Sequence, residues 1–385
     1  MTDERVRRVL QSVAPPGELE AERRAWAVVR SAFESREPVP RPRGPRWALA
    51  LAAAAVAACA ALAATPAGPA FVDAVRDVFG SDGARSGLRS LPAPGRLLVS
   101  SSGGVWVVRQ DGSKRRLGDY DGAAWSPAGK FVVATDERHV VALEPDTGQV
   151  RWSLTRPAVA EARWMPVSGT RVAYRSGTTL RVVDGDGTDD RILVRGAAPV
   201  PPAWQAARED RLAYVGRRGV VRVVDAGTGR VLWGRRVARV AALAWSSDGA
   251  RLAVVGPGRV TVLSASGRRL AAIELPPGGR VAAAAYSPRG RALAVLRRGA
   301  DASEVVLLRA RGVAVLSRSP GRLTGLAWSP DGSFVLVGWE SADEWLFLPV
   351  AGGRPRAVGE ITAEFAPGGD APAGYPQIEG WVSSP

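Results

Sequence analysis

The chain has 385 residues, 46% of them hydrophobic and 23% charged, a balance that belongs to a globular protein with an ample core and excludes a disordered chain. One cysteine, Cys59, excludes an intramolecular disulfide, and one histidine, His139, excludes a His-based metal site or a paired-histidine acid/base system. The net charge of +15 comes almost wholly from arginine, but the arginines are scattered through nearly every turn and strand, so a nucleic-acid partner is not expected.

In chain order, Val6, Val9, Leu10 and Val13 recur at i, i+3, i+4 and i+7 and predict an amphipathic helix with Thr2 as its N-cap. Pro15-Pro16-Gly17 ends it, and a second helix is expected from Glu18 to Arg36 with Trp26, Val29 and Phe33 on one face. Such a hairpin buries too little apolar area to fold firmly alone, so it either docks on a partner or lies on a membrane. Trp26 is the candidate interaction residue, because a large aromatic on a small element is the commonest kind of hot spot. The segment from Pro38 to Pro45 reads as a stiff Pro/Arg-rich linker that closes a first region, residues 1–46.

Residues 47–64 carry no charge and as a helix would reach about 27 Å, enough to span a bilayer core. Arg41, Arg43 and Arg46 crowd the N-terminal flank, which predicts a single-pass transmembrane helix with the N-terminus cytoplasmic and everything after residue 65 extracytoplasmic. The long segment ahead of the apolar run favours an uncleaved signal anchor over a secretory leader. Val56-Ala57-Ala58-Cys59 resembles a lipobox, the competing reading, in which Cys59 would be acylated. Residues 65–94 read as a juxtamembrane linker.

Beyond it the chain repeats. The anchors are Trp125-Ser126-Pro127, Trp164-Met165-Pro166, Trp204, Trp245-Ser246-Ser247, Tyr286-Ser287-Pro288, Trp328-Ser329-Pro330 and Phe365-Ala366-Pro367, with aromatics 39, 40, 41, 41, 42 and 37 residues apart. Short alternating strands separated by Gly turns follow most anchors, at four strands per roughly 40 residues, which predicts an all-β fold, a seven-bladed β-propeller over 95–367. Residues 96–117 lack an inner strand before them, and a strand near Ile361 to Phe365 is expected to supply it, leaving 368–385 as a C-terminal tail.

Trp328-Ser329-Pro330-Asp331-Gly332 resembles the WD40-like repeats of TolB-type propellers. Asp146-Thr147-Gly148 with Trp152, and Thr228-Gly229 with Trp233, resemble repeats of the quinoprotein and outer-membrane-assembly propellers. The resemblance covers most of the chain and speaks to fold more than to function. The order of regions also resembles single-pass anti-sigma regulators, without the zinc-type His/Cys motif of that family in residues 1–46.

Asp119, Asp121, Asp136, Asp184, Asp186, Asp189, Asp190, Asp301 and Asp343 mostly sit beside Gly or Thr, where Asp initiates turns. Asp184-Gly185-Asp186-Gly187 lacks the spacing and terminal Glu of a calcium loop and is expected to be a hairpin turn. No catalytic motif, metal set or cofactor site is identified, and the function expected is protein interaction, scaffolding or sensing at the membrane, with an outside contact linked to the cytoplasmic hairpin. The alternative is a lactonase-like or quinone-dependent propeller enzyme with a metal or cofactor in its central channel.

Overall fold

The computed structural model describes residues 85–206, 210–310, 312–366 and 374–384. The predicted hairpin with Trp26, the apolar run at 47–64 and Cys59 lie outside the described residues. Among those described, no helix is long and apolar enough to cross a membrane.

The repeated turn sets the geometry of a blade. Ser126, Ser246 and Ser329 are buried, and each hydroxyl accepts the amide of the fifth residue on, Phe131, Arg251 and Phe334, at 2.7, 3.0 and 2.9 Å. Each serine carbonyl also accepts the amide of the glycine three residues on. Gly332 has φ +75°, which is why a glycine closes this turn. The turn therefore joins the first strand of a blade to the second in a fixed register.

In the blade spanning 122–155 the strands are Gly122–Trp125, Val132–Thr135, His139–Leu143 and Val150–Thr155, paired antiparallel in sequence order. Val132, Val133, Ala134 and Val140 are fully buried, whereas the outermost strand is half exposed. This gradient is what a wedge-shaped blade requires, since its middle strands are covered on both faces. Six further sheets repeat it, and numbering the ring from 96–118 makes 122–155 blade 2, followed by 159–195, 203–236, 242–274, 280–320 and 323–359.

The first strands of the seven blades touch one another in cyclic order, so the ring is closed. Seven separate apolar clusters result, each shared by two neighbouring blades. The seven-bladed β-propeller expected from the repeats is therefore observed.

Its closure differs in detail from the expectation. The inner strand of blade 1 is Gln377–Val382, pairing antiparallel with Arg96–Ser101, and not the segment near Ile361 to Phe365. Ile361–Glu364 is instead a single helical turn, with Ile361 and Phe365 buried beside Trp345. Phe365 copies the aromatic of a blade anchor, but its ring is spent on the edge of Trp106 (6.0 Å) and on Trp345 (5.3 Å). Trp381 holds the true anchor position, opposite Leu97 as Trp125 lies opposite Val132. The supposed tail 368–385 thus contains a core strand.

The start of the ring is also earlier than the sequence suggested. Arg85–Ser86 adds in parallel to the outer edge of blade 7, and Leu88, Leu91 and Ala93 are buried in the cluster between blades 7 and 1. The end of the presumed juxtamembrane linker is therefore a strap over that seam, where apolar side chains gain more from burial than from solvent.

Candidate functional site

Three places concentrate polar chemistry: the inner strands, a buried carboxylate between blades 2 and 3, and the outer ends of the blade seams. At the centre, β-bulges displace two glutamates from the regular ladders. Glu161 (φ +59°) lies in the bulge opposite Tyr174, and Glu379 is the extra residue between Ile378 and Gly380. Glu161 accepts from Arg175 at 2.8 Å, and Glu379 accepts from Ser100 Oγ at 2.7 Å.

The Glu379 carboxyl is buried although the residue as a whole is only partly so, and burial pushes its pKa up against the opposing charge of Arg163 and the Ser100 bond. A raised carboxyl favours the protonated fold, so its contribution falls as pH rises above the unfolded value of 4.5. Glu379→Gln keeps the Ser100 partner and removes that cost. The variant is expected to melt higher than the parent at pH 8 and alike at pH 4, and equal melting temperatures at pH 8 would refute the effect.

Asp190 is the most heavily partnered of the nine aspartates singled out in the sequence. It receives Tyr174 Oη at 2.7 Å, Arg181 Nη2 at 2.6 Å and Arg156 Nε at 2.9 Å, with its side chain 6% exposed. Arg156 comes from blade 2 and the others from blade 3, so this is a joint between blades. Asp184 to Gly187 form a hairpin turn, with Gly187 donating to the Asp184 carbonyl at 2.9 Å. Asp136 binds the His139 ring at 3.0 Å, while Asp343 accepts from Thr362 at 2.6 Å. The aspartates are thus dispersed over several blades. Among the described residues no group of three or more His, Cys, Asp or Glu could hold a metal ion.

The seams carry a feature that residue patterns alone did not show. Anchor tryptophans reach back along the inner ring: the indoles of Trp204, Trp245 and Trp328 donate to the carbonyls of Arg163, Ala203 and Ala285 at 2.9, 3.1 and 2.9 Å. Each acceptor immediately precedes the anchor of the previous blade. Farther out, Trp152 donates to Gly185 O at 2.8 Å and Trp233 to Ala265 O at 2.9 Å, each crossing to the outer turn of the next blade. Gly187 and Gly267 lie against those indoles, and a Cβ there would sit 2.6 and 2.8 Å from the ring. Elsewhere Arg191 serves the same turn position at Ala226 O (2.8 Å), Arg309 at Val350 O (2.5 Å), and the strap amide of Leu91 at Gln110 O (2.9 Å).

Two seams open into grooves. The one between blades 2 and 3, about 670 Å³, is lined by Phe131, Trp152, Trp164, Arg151, Arg171 and Asp184. Its arginines are neutralised, Arg151 by Glu144 and Arg171 by Asp184 and Asp210. The other, about 520 Å³, lies between blades 5 and 6.

A closed ring of seven β-sheets, two of whose outer tryptophans, Trp152 and Trp233, dock on the following blade, defines the class of the protein, a seven-bladed β-propeller. The chain belongs to the family described as outer membrane protein assembly factor BamB, whose pattern matches residues 99–295, just over half of its length. Among solved structures it is similar to the Cps50 (Swd1) β-propeller domain of Myceliophteria thermophila, at 15% identity and TM-score 0.52, over 64% of this chain and 87% of that one. It is similar to a chain of the mitotic checkpoint complex at 17% identity and TM-score 0.53, over 66% and 85%. A weaker likeness is to hydrazine synthase of Kuenenia stuttgartiensis, at 14% identity and TM-score 0.49, over 68% and 78%. Comparison with curated proteins returns no match.

Proposed function

We propose that the protein is a binding and scaffolding propeller, held at the cell membrane by residues 47–64, with residues 1–46 in the cytoplasm and the ring outside. Membership of the assembly-factor family carries the reading, because an assembly factor acts by contact with other proteins. The closed, cross-linked ring supports it physically, since a rigid platform loses little conformational freedom when a partner binds. The charge bias around residues 41–46 supports the orientation. On this reading the cytoplasmic hairpin docks on a partner through Trp26.

External protease applied to intact cells should remove the ring and spare a small N-terminal fragment. A protected ring, or a mature chain beginning at Cys59, would overturn the topology. Trp26→Ala should weaken capture of the cytoplasmic partner by roughly 2 kcal/mol or more, and capture unchanged within error would sink the docking role.

A further inference from the structure

The seam between blades 5 and 6 departs from the pattern of its neighbours. In blades 2 and 4 the outer strand places Trp152 opposite Ala142 and Trp233 opposite Val223. The same register in blade 5 places Ala271 opposite Val262. No indole is therefore available to cross to blade 6, and among the described residues no side chain reaches Ala310 O, the carbonyl equivalent to Gly185 O and Ala265 O. The anchor at this seam is also the smaller Tyr286.

The groove left there has an apolar floor of Val262, Ile273, Leu293 and Leu308, with Leu270 (40% exposed) and Val313 (39% exposed) at its lips. Its rim is cationic: Arg251, Arg291 and Arg309 line it, the one carboxylate paired with them among the described residues being Asp248, 3.6 Å from Arg291, while Arg309 donates to Val350 O. Arg268, Arg269 and Arg289, elsewhere on blades 5 and 6, are exposed. Residues 211–322 as a whole hold 21 arginines against five carboxylates. The arginines are evenly spread along the chain, and it is the carboxylates that are missing here.

We infer that the groove between blades 5 and 6 binds an extended segment of a partner protein that carries aliphatic side chains among acidic ones. Aliphatic groups fill the floor and remove Leu270 and Val313 from water, and carboxylates meet the arginines of the rim. The match is one of charge and polarity together. A polyanion without apolar groups leaves the floor wet, and an apolar segment without carboxylates leaves the arginines unmatched. The inference rests on the protein-binding reading and adds the place and the chemistry of the partner.

The test uses the full-length chain in detergent micelles and a fluorescent nine-residue peptide of three leucines among glutamates and aspartates, read by anisotropy. Ala271→Trp restores the residue of the bridged seams and fills the groove. It should weaken binding by about tenfold or more, and so should the double variant Arg251→Glu/Arg291→Glu, which leaves the groove open. Arg138→Glu, exposed on blade 2, should bind as the parent does. Exchange of the three leucines for serines should cost about tenfold as well. Binding that survives Ala271→Trp in a folded ring, or that ignores the leucines, overturns the inference. So does stronger binding of an oligonucleotide or of phosphatidylglycerol nanodiscs that falls with the charge reversals alone. If the protease experiment places the ring outside and partners are captured while the groove takes no peptide, this inference fails and the broader reading stands.

Discussion

A chain ending at Pro376 is expected to lose its cooperative thermal transition and to be digested within the ring by protease under conditions that leave the full chain intact. The missing strand, Gln377–Val382, pairs with Arg96–Ser101 along its length. Its loss uncovers Leu97, Leu98 and Val99, all fully buried in the closed ring. It also removes Ile378 and Trp381, and Trp381 packs edge-on against Phe347 at 5.8 Å. Truncation of a buried aromatic alone costs about 3 to 5 kcal/mol, and the strand adds an isoleucine and a ladder of hydrogen bonds. The sum is of the order of the whole stability of an ordinary domain, about 5 to 15 kcal/mol. Two unpaired edges would also face each other across the gap, a geometry that favours aggregation. Trp381→Ala in the full chain should show a smaller loss with the transition preserved. A truncated chain melting like the parent would refute closure by this strand.

The architecture was legible because its signal is periodic. Six aromatic anchors at nearly constant spacing, three of them before a turn in which Ser126, Ser246 or Ser329 and a following glycine have fixed roles, leave few folds other than a propeller. The seventh anchor was obscured by an insertion: Trp381 follows Trp328 by 53 residues, and Phe365-Ala366-Pro367 imitates the pattern at the expected distance. Two features pointed to the right place. Ile378 and Trp381 are the strongly apolar residues of the last stretch, and a Ser-Pro pair, Ser384-Pro385, follows the aromatic two residues later than in the other Ser-Pro anchors.

The seams were less legible for a physical reason. Their acceptors are backbone carbonyls, carried by residues as different as Gln110, Gly185, Ala226 and Val350, which no residue pattern could reveal. Only the donors Trp152 and Trp233 stood out, and the arginines that replace them at other seams looked like surface charge. Glu379 was hidden differently, in a stretch taken for a tail, and a bulge is seldom visible without its partner strand.

The joint between blades 2 and 3 gives the other large expected effect. Asp190→Ala leaves Arg156 and Arg181 without their carboxylate and Tyr174 without its acceptor, in a site where the side chain is 6% exposed. Breaking such a pair by removing one partner costs roughly 3 to 5 kcal/mol, because the remaining charges stay desolvated and unmatched. The pH dependence gives the loss a signature. Burial alone would raise the Asp190 carboxyl, but hydrogen bonds from Arg181, Tyr174 and Arg156 more than offset it, so the group ionises below its usual 3.8. A depressed carboxyl contributes stability that is present above the unfolded value and lost as pH falls through the folded one. The parent should therefore shed that part of its stability on acidification, and the gap to the variant should narrow. Tyr174 offers a second readout. Burial first, and then its bond to Asp190, hold the phenol up to about 12, so its ultraviolet titration should move down in the variant. Asp190→Asn keeps an acceptor for Tyr174 but not the charge, and should restore only part of the loss. A melting temperature unchanged by Asp190→Ala at pH 7 would show that the joint contributes nothing net.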